Sequence, residues 1–245
     1  MAKKIDLIGR KKYRYNDDII INIPTIGQIR GGDNEETENQ FWKEVNLFIK
    51  TPTDMISELD SFGMDFENVS EYMLFFMLLT SYIADKENSC QLFDGLDYRK
   101  LKADADGSGQ LIFVDETGKE IFNEIVYLDV ANIIATMIGT ERTPKKKFGN
   151  AFAKKMRIQQ DYRKKEKARK EKDDSDNVLG SIILRLCNNC NFPYNFETVN
   201  DVTIYNLFQS VKQIDKDISV DEIMDSRLVG ADLNKLPPKA LSRYV

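Results

Sequence analysis

Apolar positions along the chain recur mainly at helical spacing. In residues 40–50, QFWKEVNLFIK, Phe41, Val45 and Phe48 fall at i, i+4 and i+7, one face of an amphipathic helix. Thr53 can cap a further helix over 54–60, with Gly63 beyond its end. Ser70 is placed to cap an apolar helix over 71–85, and Glu71 sits at its positive end. Residues 123–138 carry Ile125, Leu128, Ile133 and Ile134 at helical spacing and stop at Gly139. An apolar helix over 178–189, broken by Phe192-Pro193-Tyr194, is followed by two more over 199–214 and 220–229, and Pro237-Pro238 closes the pattern. Period-two or β-branched stretches are fewer. Residues 19–23 read as a short strand stopped by Pro24 and Gly27, and 111–114 and 119–122 flank Asp115-Glu116-Thr117-Gly118 as a hairpin. Residues 30–38, RGGDNEETE, read as a polar loop, and 92–102 as a short element kinked at Gly95. No internal repeat or sustained heptad is present.

This pattern predicts a mainly α, α+β fold in three parts: a helical N-terminal domain with a small β-hairpin element over 1–140, a basic helical arm or linker over 141–177, and a C-terminal three-helix unit over 178–245. Within the arm, Phe148, Phe152 and Met156 form a stripe at i, i+4 and i+8, so its first half is expected to dock. Residues 163–172 have no apolar face and are expected to project, with DDSDN at 173–177 as a hinge.

Charge sharpens the picture of the arm. Arg142 to Lys172 contains 14 Lys or Arg against 3 Asp or Glu, a local +11 in a chain of net −5, which leaves −16 on the rest. An acidic body holding a basic arm can bind itself, the acidic face of a partner, or nucleic acid. The overall pI near 5.1 weighs against nucleic acid as the main partner, because the body repels a polyanion.

Composition narrows the chemistry. The chain has 245 residues and no histidine, which removes Ser-His-Asp and Cys-His nucleophile pairs, His-ligated zinc and the usual proton shuttle at neutral pH. With no phosphate loop either, the expectation is a protein that is not an enzyme and uses no cofactor. Three cysteines, Cys90, Cys187 and Cys190, suit a reducing compartment. The longest uncharged apolar run, YMLFFMLLTSYIA, has 13 residues, short of the ~18 that a spanning helix needs. No signal-peptide stretch follows Met1, so a cytoplasmic protein without a membrane partner is expected.

Three local motifs invite a function. Asp104, Asp106, Ser108 and Asp115 occupy calcium-loop positions 1, 3, 5 and 12, with Gly109 at position 6. Position 12 lacks the bidentate Glu, however, and a strand follows where a helix should, so an Asp-Gly turn is preferred and no metal is expected. Cys187-Asn-Asn-Cys190 lacks the four ligands of a zinc site. Met55, Met64, Met73 and Met77 cluster before and within the apolar helix, where methionine either fills core gaps or lines an adaptable binding surface. Candidate partner contacts are Phe41, Trp42, Met55, Met73, Met77, Phe148 and Phe152.

The order of segments carries a resemblance. An early IINIPTIGQI, then FWKEVNLFIKTPTDM, FGMDFENVSEYMLFFMLL, a hairpin, an apolar helix, a basic segment, TIYNLFQSVKQI and LVGADLNKL together resemble a family of small proteins of tailed bacteriophages of Gram-positive hosts. These are encoded next to the tape-measure gene and taken to be tail assembly chaperones. The resemblance implies a non-enzymatic chaperone that binds the tape-measure protein and keeps it soluble in the host cytoplasm during tail morphogenesis, that is shed from the mature virion, and that is able to self-associate. The alternatives are a structural tail or baseplate component or, less favoured, a nucleic-acid-binding phage protein.

Overall fold

The computed structural model describes residues 7–31, 35–85, 87–145, 147–170 and 178–228. It is an α+β protein, mainly α, with eight α-helices and two small antiparallel sheets among the described residues. The helices that open on clear local signals lie close to where the pattern puts them. Ser70 accepts from the Met73 amide and starts α4 (Glu71–Ala84), and Asn123 accepts from the Val126 amide and starts α5 (Glu124–Met137). At the end of α5, Gly139 takes φ +67° and the Thr140 amide reaches back to Ala135 O.

These two helices and α2 (Glu35–Ile49) surround an aromatic centre. Phe48, Phe75, Phe113, Phe122 and Tyr127 are almost fully buried, and the Phe75 and Tyr127 rings stack at 4.4 Å. Arg142 closes this centre from outside. It lies over the Tyr127 ring, donates to Tyr127 Oη at 2.7 Å and pairs with Glu71 at 2.7 Å.

The β elements flank the helices. Strands β1 (Lys12–Arg14) and β2 (Ile20–Asn22) form one hairpin, and β3 (Lys102–Ala105), β4 (Leu111–Val114) and β5 (Glu120–Phe122) form a meander whose β4 and β5 carry Phe113 and Phe122 into the core. Strand β3 was not expected. Its sequence KADA is exposed at every position and so shows no alternation, and it is held by pairing with β4 alone. The expected polar loop over 30–38 is also corrected. Helix α1 (Ile26–Arg30) precedes it, opened by a Thr25/Gln28 capping box, and α2 already covers its second half.

The C-terminal helices share this core. Leu179, Ile183 and Leu186 of α7 (Val178–Cys187), together with Ile204, Leu207 and Ile214 of α8 (Ile204–Leu228), belong to the same buried cluster as Ile26, Phe48 and Ile134. The chain is also stitched across its length, the Ile26 amide donating to Val202 O and the Ile204 amide to Pro24 O, both at 2.9 Å. Between Leu179 and Ile214 the chain therefore buries apolar side chains against the N-terminal part and not only among themselves. The two expected helices over 199–214 and 220–229 are, as far as Leu228, one continuous helix, α8, preceded by a short turn at Val199–Asp201; the expected hinge at 173–177 and the closing Pro237-Pro238 lie outside the described residues.

Candidate functional site

A second, smaller apolar cluster lies apart from the main core: Ile56, Leu59, Phe66 and Leu74, with Met55, Val69, Met77, Leu78, Phe148 and Ile158 packed on it. It is built between α3 (Ile56–Ser61), α4 and the arm helix α6 (Ala151–Lys170). Helix α6 packs on one side of it through Ile158, and the seam between α3 and α6 is itself a cleft lined by Ser57, Glu58, Ser61, Tyr162 and Lys165. The opposite side is open as a groove of about 350 Å³ lined by Met55, Leu59, Phe62, Met64, Leu74 and Met77, with Glu58 as its charged lining residue.

Local sequence explains the groove. Helix α3 ends in a Schellman stop in which the Gly63 amide bonds Asp60 O at 2.9 Å and the Met64 amide bonds Leu59 O at 2.8 Å. Gly63 meets the left-handed requirement with φ +71°. This turn leaves Phe62 75% exposed and Met64 40% exposed on the rim. From α4, Leu74, Met77, Leu78 and Ser81 sit at i, i+3, i+4 and i+7 and form the facing wall.

On its other side α3 is clamped by α6 through polar contacts. Asp161, buried, accepts from the Ser57 amide at 3.1 Å and the Ser57 hydroxyl at 2.7 Å. Tyr162 Oη donates to Ser57 O at 2.9 Å. Lys165 pairs with Asp161 at 2.8 Å and with Glu58. About two to three turns earlier, Lys154 pairs with Asp65 and with Glu67 at 3.1 Å, while Glu67 also accepts from the Phe148 amide at 2.7 Å. Burial alone would raise the pKa of Asp161 and Glu58, but hydrogen bonds from Lys165 and Ser57 outweigh it and hold both below their ordinary values. Burial likewise opposes the charge of Lys165, and its two carboxylate partners outweigh that and raise its pKa.

The candidate residues divide accordingly. Met55 and Met77 line the groove, and Met73 lies one turn from Met77 on α4, 41% exposed but outside the lining. Phe148 packs edge-on to Phe66 beneath the groove. Phe41 is corrected to a core residue, 2% exposed in the main cluster, and Trp42 packs half-buried against that cluster with Nε1 3.4 Å from Glu38. Of the stripe expected to dock the arm, Phe148 does pack on this cluster, but Phe152 is 74% exposed and Met156 37%, so its two members on α6 face outward. The docking face is instead Lys154, Ile158, Asp161 and Lys165, and the second half of the arm, expected to project freely, is held as far as Lys165. Phe62 and Met64 were not among the candidate contacts, although Met64 belonged to the methionine cluster, and neither was Leu59. The Gly63 stop that exposes the first two was visible in the sequence.

The calcium-loop residues are not brought together. Asp104 lies on β3, Asp106 and Ser108 in the β3–β4 turn, and Asp115 in the β4–β5 turn at the other end of the strand. Asp106 accepts from Ser108 and the Gln110 amide, and Asp115 from Thr117 and the Lys119 amide, so each carboxylate organises its own turn. Among the described residues, no group of three or more His, Cys, Asp or Glu is placed to hold a metal. Cys187 is half-buried at the end of α7, where burial raises its pKa, and Cys190 is exposed. No described helix is long and apolar enough to cross a membrane. No family model matches the chain, and neither a curated protein nor a solved structure does.

Proposed function

We propose that the chain is a non-enzymatic phage tail assembly chaperone whose α3–α4 groove receives an apolar stripe of a helical tape-measure-like protein in the host cytoplasm. The observation that carries this reading is the open groove lined by Met55, Leu59, Phe62, Met64, Leu74 and Met77, with Phe62 75% exposed at its rim. Methionine and phenylalanine on a concave surface suit an amphipathic helix whose sequence varies from turn to turn. Asp60, exposed beside the lining, favours a partner helix with Lys or Arg flanking its apolar stripe, Glu58 being already paired with Lys165. Micromolar affinity, about −8 kcal/mol, fits a holder that must release its cargo as the tube assembles.

The test is co-expression of the chain with the tape-measure protein encoded beside it. The wild type keeps that protein soluble and is retained on it in a pull-down, while Phe62→Asp with Met64→Asp, both on the surface, folds normally and loses retention. Equal tape-measure solubility with and without the chain defeats the proposal. Recovery of the chain at fixed copy number in mature particles would establish the structural-component alternative instead.

A further inference from the structure

We propose that α6 sets the shape of the groove: Asp161 supplies the N-terminal cap that α3 lacks, so the α3 wall holds its form only while α6 is seated. The inference deepens the groove reading above, and its test is read without any partner.

Helix α3 has six residues, too few to persist alone in water. Its cap residue, Met55, has φ −120° and ψ 33° and makes no side-chain capping bond. Thr53, the residue in the sequence best suited to cap it, donates its hydroxyl to Pro144 O at 3.3 Å instead. The orphan amide of Ser57, second residue of the helix, is met by Asp161 from another element more than a hundred positions away. The same carboxylate oxygen accepts from the Ser57 hydroxyl and lies 2.8 Å from Lys165 Nζ, so it is buried, neutralised and fully used. The groups facing it are Ser57, Lys165 and, through Lys165, Glu58; Tyr162 beside it bonds Ser57 O and Asp60.

The opposite side of these six residues is the groove. Leu59 lines it, and the Schellman stop fixed by Leu59 O places Phe62 and Met64 on its rim. Asp161 does not line the groove. A cap lent by another element makes the formation of the two elements cooperative, so loss of the cap transmits to the rim as local opening of α3. Asp161 is therefore a positioning residue for the groove.

Hydrogen exchange tests this on the full chain. In Asp161→Ala, the amides of Leu59, Phe62 and Met64 are expected to exchange about tenfold faster, with those of α5 unchanged. Asp161→Asn keeps an oxygen for Ser57 and restores most of the protection. Met55→Ser gives α3 a cap of its own, so Met55→Ser with Asp161→Ala also recovers it; these two variants carry the comparison if Asp161→Ala alone does not fold. Unchanged α3 exchange in Asp161→Ala, equal acceleration in α5, or no recovery in either comparison variant would overturn the proposal. Faster α3 exchange with undiminished tape-measure retention leaves the cap standing and removes the groove from the proposed function.

Discussion

Replacing Glu44 with alanine should destabilise the protein by about 2–4 kcal/mol, although the residue sits in an amphipathic helix where a carboxylate is ordinarily solvated. Glu44 is fully buried, and its carboxylate accepts from Ser89 Oγ at 2.5 Å, from the Gln91 amide at 2.8 and 3.1 Å, and from the Leu92 amide at 2.8 Å. It thereby fastens the irregular segment before η1 (Tyr98–Lys100) to α2, and Leu92 and Phe93 of that segment are core residues. Truncation leaves two amides without an acceptor. An unsatisfied buried amide costs about 1–3 kcal/mol, the Leu92 amide more than that of exposed Gln91, while the half-buried Ser89 hydroxyl can turn to water. Against this stands the relief of removing a buried charge. Burial pushes the pKa of Glu44 up even though its hydrogen bonds from Ser89, Gln91 and Leu92 pull it down, so desolvation is only partly offset. The unsatisfied amides outweigh that relief. Glu44→Gln, which keeps the size but turns an NH2 toward a donor, should lose about half as much.

The raised pKa fixes a sign. The folded protein holds the Glu44 proton more tightly than the unfolded chain, so this residue makes stability fall as pH rises above the ordinary glutamate value of about 4.3. The wild-type advantage over Glu44→Gln therefore grows as pH falls from 7 to 5. Urea denaturation followed by circular dichroism at both pH values measures it. A loss below about 0.5 kcal/mol in Glu44→Ala, or an advantage over Glu44→Gln that shrinks at pH 5, would refute the reasoning.

Gly139→Ala should cost about 1–3 kcal/mol and lower the melting temperature by several degrees, because the site has φ +67° and a Cβ there would lie 2.9 Å from Phe208 Cβ. Millimolar calcium should leave the melting temperature unchanged within about 1 °C, and a rise abolished by Asp106→Ala would contradict the turn assignment. The lowered pKa values of Asp161 and Glu58 mean that their contribution is present above the ordinary carboxylate range and lost as pH falls below about 4. That of Lys165, raised, is lost as pH climbs above about 10.4, so the protection of α3 amides, taken relative to their intrinsic exchange rate at each pH, should be greatest between these limits. Limited trypsin at low salt should cut after Lys167 or Lys170 before it cuts after Lys154 or Lys165, where the lysines are engaged with α3 and the loop that follows it; early cleavage at those two would deny the clamp.

What was legible in the sequence is what a segment settles with its own residues. Ser70, Asn123 and Gly139 bound α4 and α5 because each satisfies a neighbouring amide or carbonyl, and the apolar spacing between them faces one core. The capping box at Thr25 and Gln28 was equally local, but Pro24 and Gly27 beside it read as breakers. What escaped depends on distant partners. Strand β3 has no pattern of its own, and Glu44 looks like any solvated charge until the segment over 89–92 is laid against it. The arm misled for a related reason. Phe152 and Met156 carry the apolar signal, but the docked stripe at 154, 158, 161 and 165 is polar in three of its four positions, so hydrophobic periodicity selected the outward face.

This inversion accounts for part of the charge asymmetry that first marks out the chain. Arg142, Lys145, Lys154 and Lys165 are turned inward, onto Glu71, Val69 O, Asp65 and Glu67, and Glu58 and Asp161. The basic arm thus has a ligand within its own molecule, the acidic surface around α3, which weakens the case for nucleic acid as the arm's main partner. The consequence for the groove follows from the different physics of the two clusters. The main core is aromatic and aliphatic, and its cohesion does not depend on ionic strength. The smaller cluster beneath the groove is covered by α6, much of whose hold is half-exposed ion pairs subject to screening. The groove is therefore the part of the molecule that ionic conditions, or an acidic segment competing for Lys154 and Lys165, can loosen while the main core stays folded.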